Sequence, residues 1–371
     1  MHSRSALSLA ITLVCLSVSA VCCTAAVYLV QPDGSGDLPT IAAALQYAIS
    51  GDVIELGDGE YNGPGNRDLD FAGKALTLCS QTGRPENCII DVEGSTSNPH
   101  RVISFRSGET LSAVLSGITL RGGHLGGDGM NGAGAGILCE DSSPTIENCV
   151  IENNEAGLGG GIYCWGANPV LRDCVIRNNS TDWLGGGIAC EGLCELSIEA
   201  CRISGNQSVY GAGLACLGSS LNLSETVCHG NIASERGGGL YSSDNVFLLL
   251  DQCTFAYNEA PLGSGISLRF NARPELSHCL IAFGAGGEAI EIAYGSAATL
   301  FCSDIFGNEG GDWTGDLAAQ LGQDGNIALD PLFCGDAASG NLYLQGNSPC
   351  SDAVSACGAI GALPVLCAGA G

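Results

Sequence analysis

A glycine motif that recurs at a nearly constant interval constrains this chain of 371 residues more than any other feature. Gly-x-Gly followed by Ile or Leu occurs six times at steps of 25 or 26 residues, beginning at Gly134, Gly159, Gly185, Gly211, Gly237 and Gly263. Gly287-Glu288-Ala289-Ile290 is a weaker seventh copy. A phosphate-binding glycine loop opens a helix, whereas each of these glycine pairs opens a predicted strand. We therefore interpret the glycines as tight turns with positive φ in a repeating scaffold.

A second marker, an asparagine, keeps the same register as the glycines. It stands at Asn154, Asn179, Asn206, Asn231, Asn258 and Asn308, with Gly284 in one copy. Each unit also carries three short extended segments in which apolar residues alternate with polar ones, which is typical of a parallel β-solenoid. The sequence therefore predicts an all-β fold, a single parallel β-helix with three-stranded coils and about ten coils. We expect the repeated asparagines to adopt the left-handed conformation and to hydrogen-bond between coils.

The units resemble the repeats of right-handed parallel β-helix proteins of the pectate-lyase-like superfold. They are especially similar to polymorphic outer-membrane protein repeats, which pair a Gly-Gly-Ala-Ile element with Phe-x-x-Asn. Phe255-Ala256-Tyr257-Asn258 matches the second element, whereas the first element has Gly where that family has Ala. The resemblance is strong over residues 130–308. It implies a right-handed coil and is specific for fold rather than for activity.

The flanking segments complete the predicted organisation. Arg4, an apolar stretch and small residues before Val27 predict a signal peptide over 1–26. The β-helix domain then spans 27–371, with an N-terminal cap at 27–75, irregular early coils at 76–130, regular repeats at 131–308, and a final coil with a C-terminal cap at 309–371. A short helix beginning after Pro39-Thr40 is expected to cover the open end of the core. No later segment has the roughly 20 apolar residues of a transmembrane helix.

The net charge of −26 restricts the classes of partner. Nucleic-acid binding requires clustered Lys and Arg, so the charge argues against it. The charge also disfavours acidic glycans unless calcium bridges the two, and we expect no other cofactor. With a signal peptide and an even number of remaining cysteines, 21 − 3 = 18, the chain is predicted to be secreted, extracellular or on the cell surface. We expect a monomer.

Cysteines recur in two columns. Cys139, Cys164, Cys190 and Cys216 form the first; Cys149, Cys174, Cys201, Cys253 and Cys279 form the second. Because Leu or Ile occupies equivalent positions in other coils, we interpret the columns as core positions filled by buried thiols. Disulfides between stacked coils are the alternative, and metal binding is disfavoured because no Cys-x-x-Cys pair exists. Near the C-terminus, Cys334, Cys350, Cys357 and Cys367 allow three disulfide pairings.

The strand that follows each glycine motif supplies the candidate site. Alternation places Ile162 and Cys164 inside, so Tyr163 and Trp165 are expected to face solvent. Glu140, Glu191, Tyr241 and Arg269 occupy outward positions of the same strand in other coils, and Trp183 and Tyr210 lie in the adjacent turns. Aromatic rings beside carboxylates suit sugar stacking and hydrogen bonding, whereas the same aromatic residues also stabilise exposed sheets without any ligand.

Two functions are consistent with these features. The first is a non-catalytic, adhesin-like scaffold that binds a polysaccharide or cell-surface glycan through this strand face. The alternative, implied by the resemblance, is a polysaccharide lyase or glycoside hydrolase. Glu140 and Glu191 are two coils apart, about 9.6 Å, near the upper limit for an inverting pair. No cluster of Asp with a basic partner appears on the repeat faces, which favours the scaffold and leaves the catalytic residues unassigned.

Overall fold

The computed structural model describes residues 25–127, 129–336 and 340–368. The predicted signal peptide lies outside these residues except for its last two positions. Within the described ranges the chain winds as a parallel β-solenoid, because each strand pairs in parallel with the equivalent strand of the next turn. The predicted all-β parallel β-helix is thus confirmed.

Four parallel sheets form the walls, and we name them A to D in the order in which one turn crosses them. Sheet A follows the glycine motif and comprises Leu69–Asp70, Ile103–Phe105, Ile137–Glu140, Ile162–Trp165, Ile188–Glu191, Leu214–Leu217, Leu240–Ser243, Ile266–Leu268 and Ile290–Ile292. Sheet B comprises Val27–Val30, Val53–Leu56, Thr77–Ser80, Val114–Ser116, Thr145–Glu147, Val170–Arg172, Glu195–Glu199, Ser220–Ser224, Phe247–Asp251, Arg273–Ser277 and Thr299–Phe301. Sheet C comprises Gly59–Tyr61, Cys88–Asp91, Thr119–Arg121, Val150–Glu152, Val175–Arg177, Arg202–Ser204, Val227–His229, Thr254–Ala256, Leu280–Ala282 and Asp304–Phe306. Sheet D comprises Glu155–Leu158, Ser180–Leu184, Gln207–Tyr210, Ile232–Arg236, Glu259–Ala260 and Ala285–Gly286.

Two details of the predicted coil are wrong. The central coils have four strands rather than three, because the residues just before each glycine motif form sheet D. The pairing register shifts within that sheet, for example between Ala156 and Leu158, and such a bulge hides the alternation by which strands are recognised in a sequence. Sheet B has 11 strands, so the estimate of about ten coils is low.

Helices are few and short. The α-helix Ile41–Tyr47 begins where the sequence predicts it, with the Thr40 hydroxyl accepting a hydrogen bond from the Ala43 amide at 3.2 Å. Its buried face joins the core, while its role as a cap stays a prediction. The 3₁₀ helices in the described ranges are Pro85–Asn87, Met130–Gly132 and Gly315–Gln320. No helix in the described part of the chain is long and apolar enough to cross a membrane.

The core is a stack of like side chains between sheets A, B and C. Ile162 pairs in register with Ile188, and Cys164 pairs with Cys190, so each core position continues from coil to coil. Cys164 is fully buried and Cys174 is 1% exposed, which confirms that both cysteine columns point inward. The thiols of both columns are free, in agreement with the interpretation as small apolar core residues rather than inter-coil disulfides.

Two disulfides among the described residues tie down the C-terminal segment, and only one of them, Cys334–Cys367, belongs to a pairing that the sequence analysis allowed. Cys334 bonds Cys367, but Cys357 bonds Cys302, which lies in the turn between sheets B and C. Cys350 is instead a free buried thiol that donates a hydrogen bond to the Asp304 carboxylate at 3.1 Å. Pairing with a residue 55 positions away is invisible to spacing alone.

The repeated glycines and asparagines have structural roles at neighbouring positions of each coil. Gly159 has a φ of 54° and a Cβ there would lie 2.5 Å from the Ile162 carbonyl oxygen, so only glycine fits. The asparagines form a buried ladder in which, for example, Asn179 Nδ2 donates to Asn206 Oδ1 at 3.1 Å. The predicted left-handed conformation belongs to the preceding residue, such as Asn178 at a φ of 54°, rather than to the ladder asparagine.

The C-terminal segment packs on the outer face of sheet C. Phe333, Leu342, Leu344, Cys350 and Ile360 form a second apolar cluster with the outward side chains Val227, Ala256, Leu280 and Ala282. The Gly361 amide donates to the carbonyl oxygen of His278 at 2.7 Å. A two-stranded sheet, Leu344–Gln345 with Val365–Cys367, joins the ends of this segment. The segment therefore covers the side of the solenoid, and its role as an end cap stays a prediction.

Candidate functional site

Sheet D folds against the outer face of sheet A and covers part of it. Between the two sheets lies a third apolar cluster, formed by Ala133, Leu138, Tyr163, Leu184, Ala189 and Ala215 with the partly buried Met130, Leu158, Tyr210, Leu217 and Tyr241. The apolar residue directly before each glycine motif supplies the sheet D side, as at Leu158, Leu184 and Tyr210. That recurrent position is the sequence signal that identifies the covered face.

Tyr163 is buried in this cluster rather than exposed. Only 2% of the residue is accessible, so the expectation that it faces solvent is wrong. Its hydroxyl donates a hydrogen bond to Glu191 Oε2 at 2.7 Å. Burial, followed by that neighbouring carboxylate, raises the pKa of Tyr163 well above its ordinary value, so the phenol stays protonated and donates. Tyr163 thus holds Glu191 in place and offers no face to a ligand.

Three other aromatic side chains line up along the solenoid axis, and we call Trp183, Tyr210 and Tyr241 the aromatic row. The ring centroids of Trp183 and Tyr210 are 5.1 Å apart, and those of Tyr210 and Tyr241 are 5.4 Å apart. Trp183 is 55% exposed, while the two tyrosines are partly buried. The structure therefore brings together three of the aromatic residues singled out in the sequence.

A charged cluster closes one end of the aromatic row. Arg269 Nη1 lies 3.8 Å from Glu291 Oε1, and Arg236 Nε lies 3.4 Å from Glu291 Oε2. The guanidinium of Arg269 also sits 4.4 Å from the centroid of the Tyr294 ring, within the range of a cation–π contact. Sequence reasoning found Arg269 but missed Arg236, Glu291 and Tyr294. Arg236 directly precedes a glycine motif, and the equivalent residues of the other coils are apolar or aromatic. A charged residue at this position is the sequence signal that could have identified Arg236.

Three neighbouring cavities all have Trp183 in their lining. The first, about 450 Å³, is lined by Thr96, His124, Glu155, Asp182 and glycine backbone. The second, about 360 Å³, reaches Glu191. The third, about 290 Å³, contains the rest of the aromatic row with Arg236 and Arg269. We call this set the groove, and it spans the exposed edge between sheets A and D.

Glu140 and Trp165 lie outside the groove. Glu140 forms an ion pair with Arg106, with 3.5 Å between Oε2 and Nη2. Trp165 pairs in register between Glu140 and Glu191 and is 43% exposed. Of the eight candidate residues, the groove therefore gathers Trp183, Tyr210, Tyr241, Arg269 and Glu191, with Tyr163 buried beneath them.

Metal ligands are not clustered in the part of the chain that the structure describes. No group of three or more His, Cys, Asp or Glu side chains is placed there to hold an ion. The expectation that the protein works without a resident metal, and without calcium for a neutral ligand, stays a prediction.

Comparison with known proteins identifies the fold family. The pectate lyase Pel9A superposes with a TM-score of 0.58 at 13% identity, over 92% of this chain and 97% of the lyase. Pectin methylesterases from Aspergillus niger and carrot give TM-scores of 0.42 and 0.39 at 14% and 15% identity, covering 81% and 82% of this chain and 90% and 88% of theirs. No curated protein matches the chain in sequence. A family model for the right-handed β-helix region matches residues 112–301, and this chain therefore belongs to the right-handed β-helix family.

Proposed function

We propose that this protein is a secreted or surface-displayed β-helix that binds a polysaccharide chain along the groove, with the aromatic row as the stacking surface. The observation that carries this proposal is the alignment of Trp183, Tyr210 and Tyr241 at centroid spacings near 5 Å beside the neighbouring cavities of the groove. Aromatic faces with a few fixed polar groups are the usual composition of a binding cleft. A rigid solenoid keeps these rings in place before the ligand arrives, which lowers the entropic cost of binding.

The charges of the groove favour a neutral glycan. Arg236 and Arg269 share the carboxylate of Glu291, while Glu155, Asp182 and Glu191 also line the groove, so its carboxylates outnumber its arginines. The chain as a whole carries a net charge of −26, which repels a polyanion. The name of the pectate lyase that shares this fold indicates an acidic substrate, pectate. We therefore propose that this chain binds a neutral glycan rather than an acidic one. Binding of a neutral glycan is expected to require no calcium.

The alternative of a glycoside hydrolase using Glu140 and Glu191 has less support. Glu140 is paired with Arg106 and Glu191 accepts the hydrogen bond of Tyr163, so each carboxylate already has a partner that competes with its role as the general acid or the general base of an inverting pair. The Trp165 side chain lies between their strand positions.

The two disulfides agree with an oxidising compartment, which supports the proposed secretion.

The test is a binding titration of the purified protein against neutral and acidic polysaccharides, with and without calcium. Trp183→Ala and Tyr210→Ala are each expected to weaken binding of a neutral polysaccharide at least about tenfold, the loss of one stacked ring. Phe247→Ala is the matched control, because Phe247 is equally exposed, at 56%, on the outer face of sheet B. Equal losses for Trp183→Ala and Phe247→Ala, or binding of acidic chains only, would refute the assignment.

A further inference from the structure

A hydroxyl, an imidazole and a carboxylate form a chain at the end of the groove opposite the arginines. Thr96 Oγ1 lies 3.2 Å from His124 Nε2, and His124 Nδ1 lies 3.4 Å from Glu155 Oε2. Backbone pairing holds the imidazole in place, because His124 pairs with His100 on one side and with Glu155 on the other. This order of groups is the one by which a histidine removes a proton from a hydroxyl while a carboxylate orients the ring.

The arrangement distinguishes His124 from the other three histidines in the described ranges. At His278 the Ser277 hydroxyl and the Asp251 carboxylate both contact the same nitrogen, Nδ1, so the ring cannot pass a proton between them. His100 Nδ1 contacts Asp68, but its Nε2 has no partner among the described residues. His229 is half-buried against Arg202, and partial burial, followed by that charge, lowers its pKa to about 4. Among the histidines that the structure describes, only His124 joins a hydroxyl to a carboxylate through its two nitrogens.

The surroundings of this chain of groups suit a reaction with a bound ligand. Thr96 is exposed, and its side chain, His124 and Glu155 all line the cavity of about 450 Å³ that ends at Trp183. Gly126 and Gly127 line the same cavity with their backbone, and neither amide donates a backbone hydrogen bond within the described ranges. Backbone amides that line such a cavity can supply the donors that stabilise the oxyanion in acyl transfer.

We propose that Thr96, His124 and Glu155 form an ester-hydrolysing site, which removes acyl groups from the hydroxyls of the polysaccharide held in the groove. Thr96 Oγ1 attacks the carbonyl carbon of the ester while its proton moves to His124 Nε2. The bond from the carbonyl carbon to the sugar oxygen then breaks, and the proton on Nε2 passes to the departing sugar hydroxyl. Water attacks the acyl-Thr96 ester, gives its proton to Nε2, and the free acid leaves as the proton returns to Thr96. Glu155 is a positioning residue that orients the ring.

Only the choice of the natural substrate rests on the proposed glycan binding, so the first assay uses a small ester. Hydrolysis of p-nitrophenyl acetate is measured for the full chain, and a fluorophosphonate that labels activated hydroxyls is mapped by peptide mass spectrometry. Thr96→Val and His124→Gln are expected to lower kcat at least about 100-fold, and the label is expected on Thr96. Glu155→Gln is expected to lower kcat about tenfold with KM unchanged. Glu155→Asp should restore part of that loss.

Two control variants test whether the effect is specific. Ser97→Ala removes a hydroxyl from the same loop, and His278→Gln removes the imidazole that contacts a hydroxyl and a carboxylate through one nitrogen. Both are expected to hydrolyse the ester at the rate of the unaltered protein. Turnover that survives Thr96→Val, or a label confined to other residues, would overturn the proposal.

A second assay, acetate release from an acetylated neutral polysaccharide, separates this proposal from the previous one. Polysaccharide binding without Thr96-dependent hydrolysis of either ester would refute the ester site alone. Thr96-dependent hydrolysis of the small ester without binding of any polysaccharide would refute the proposed function and leave the catalytic chain of groups supported.

Discussion

Replacing Tyr163 tests the finding that sheet D covers the face of sheet A. The residue is 2% exposed, packs among Leu138, Leu184 and Ala189, and hydrogen-bonds Glu191. Truncating a buried aromatic ring to alanine costs about 3–5 kcal/mol, so Tyr163→Ala should lower the free energy of unfolding by about 4 kcal/mol. Tyr163→Phe keeps the packing and removes one hydrogen bond to a partly hydrated carboxylate, which should cost about 1 kcal/mol.

The assay is urea unfolding followed by circular dichroism, with Trp165→Ala as the matched control. Trp165 is the neighbouring aromatic residue on the same strand, but it is 43% exposed, so its truncation should cost only about 1.5 kcal/mol. A Tyr163→Ala variant that loses no more stability than Trp165→Ala would refute the burial of Tyr163 and the cover provided by sheet D. If the expected order holds, binding experiments at this site must use Tyr163→Phe, because the alanine variant would confound binding with folding.

Three further predictions concern buried residues. Asn206→Ala should lower the free energy of urea unfolding by about 4 kcal/mol. It leaves the amide of Asn179 and other buried groups without partners, at a cost of about 1–3 kcal/mol each. A loss of stability no larger than that caused by Asn178→Gly, at an exposed asparagine, would contradict this. Cys164→Ser should cost about 1–3 kcal/mol by burying a hydroxyl, and an unchanged urea midpoint would show that the site is not apolar. Burial raises the pKa of Asp304 to about 6. The folded chain therefore holds a proton that the unfolded chain releases, and stability should fall by up to about 3 kcal/mol as pH rises from about 4 to about 6. Asp304→Asn should remove that part of the fall, and equal pH profiles for the two proteins would exclude it.

The sequence alone was sufficient to predict the solenoid and its core. The glycine position of Gly159 and the asparagine position of Asn179 recur in successive coils. A fixed period between these positions makes equivalent residues stack in register. Once the register is known, alternation within a strand decides that Ile162 and Cys164 point inward. These are local rules that depend on backbone geometry and on one periodic pattern, so they can be read without knowing any distant contact.

Alternation, however, specifies only the two faces of a strand and does not show what covers the outer one. Tyr163 was therefore expected in solvent, although Leu184 and the other residues before the glycine motifs cover it. The sequence does not identify those residues as a strand, because the bulges in sheet D interrupt the alternation of inward and outward side chains.

Contacts between distant turns were decided by the tertiary structure alone. Cys302 meets Cys357 only because the C-terminal segment returns along the side of the solenoid. Thr96 reaches the imidazole of His124 because the early coils bring an irregular loop to the edge of sheet D. A repeat predicts what lies one period above each residue, whereas these contacts join segments that do not repeat, and no spacing in the sequence encodes them.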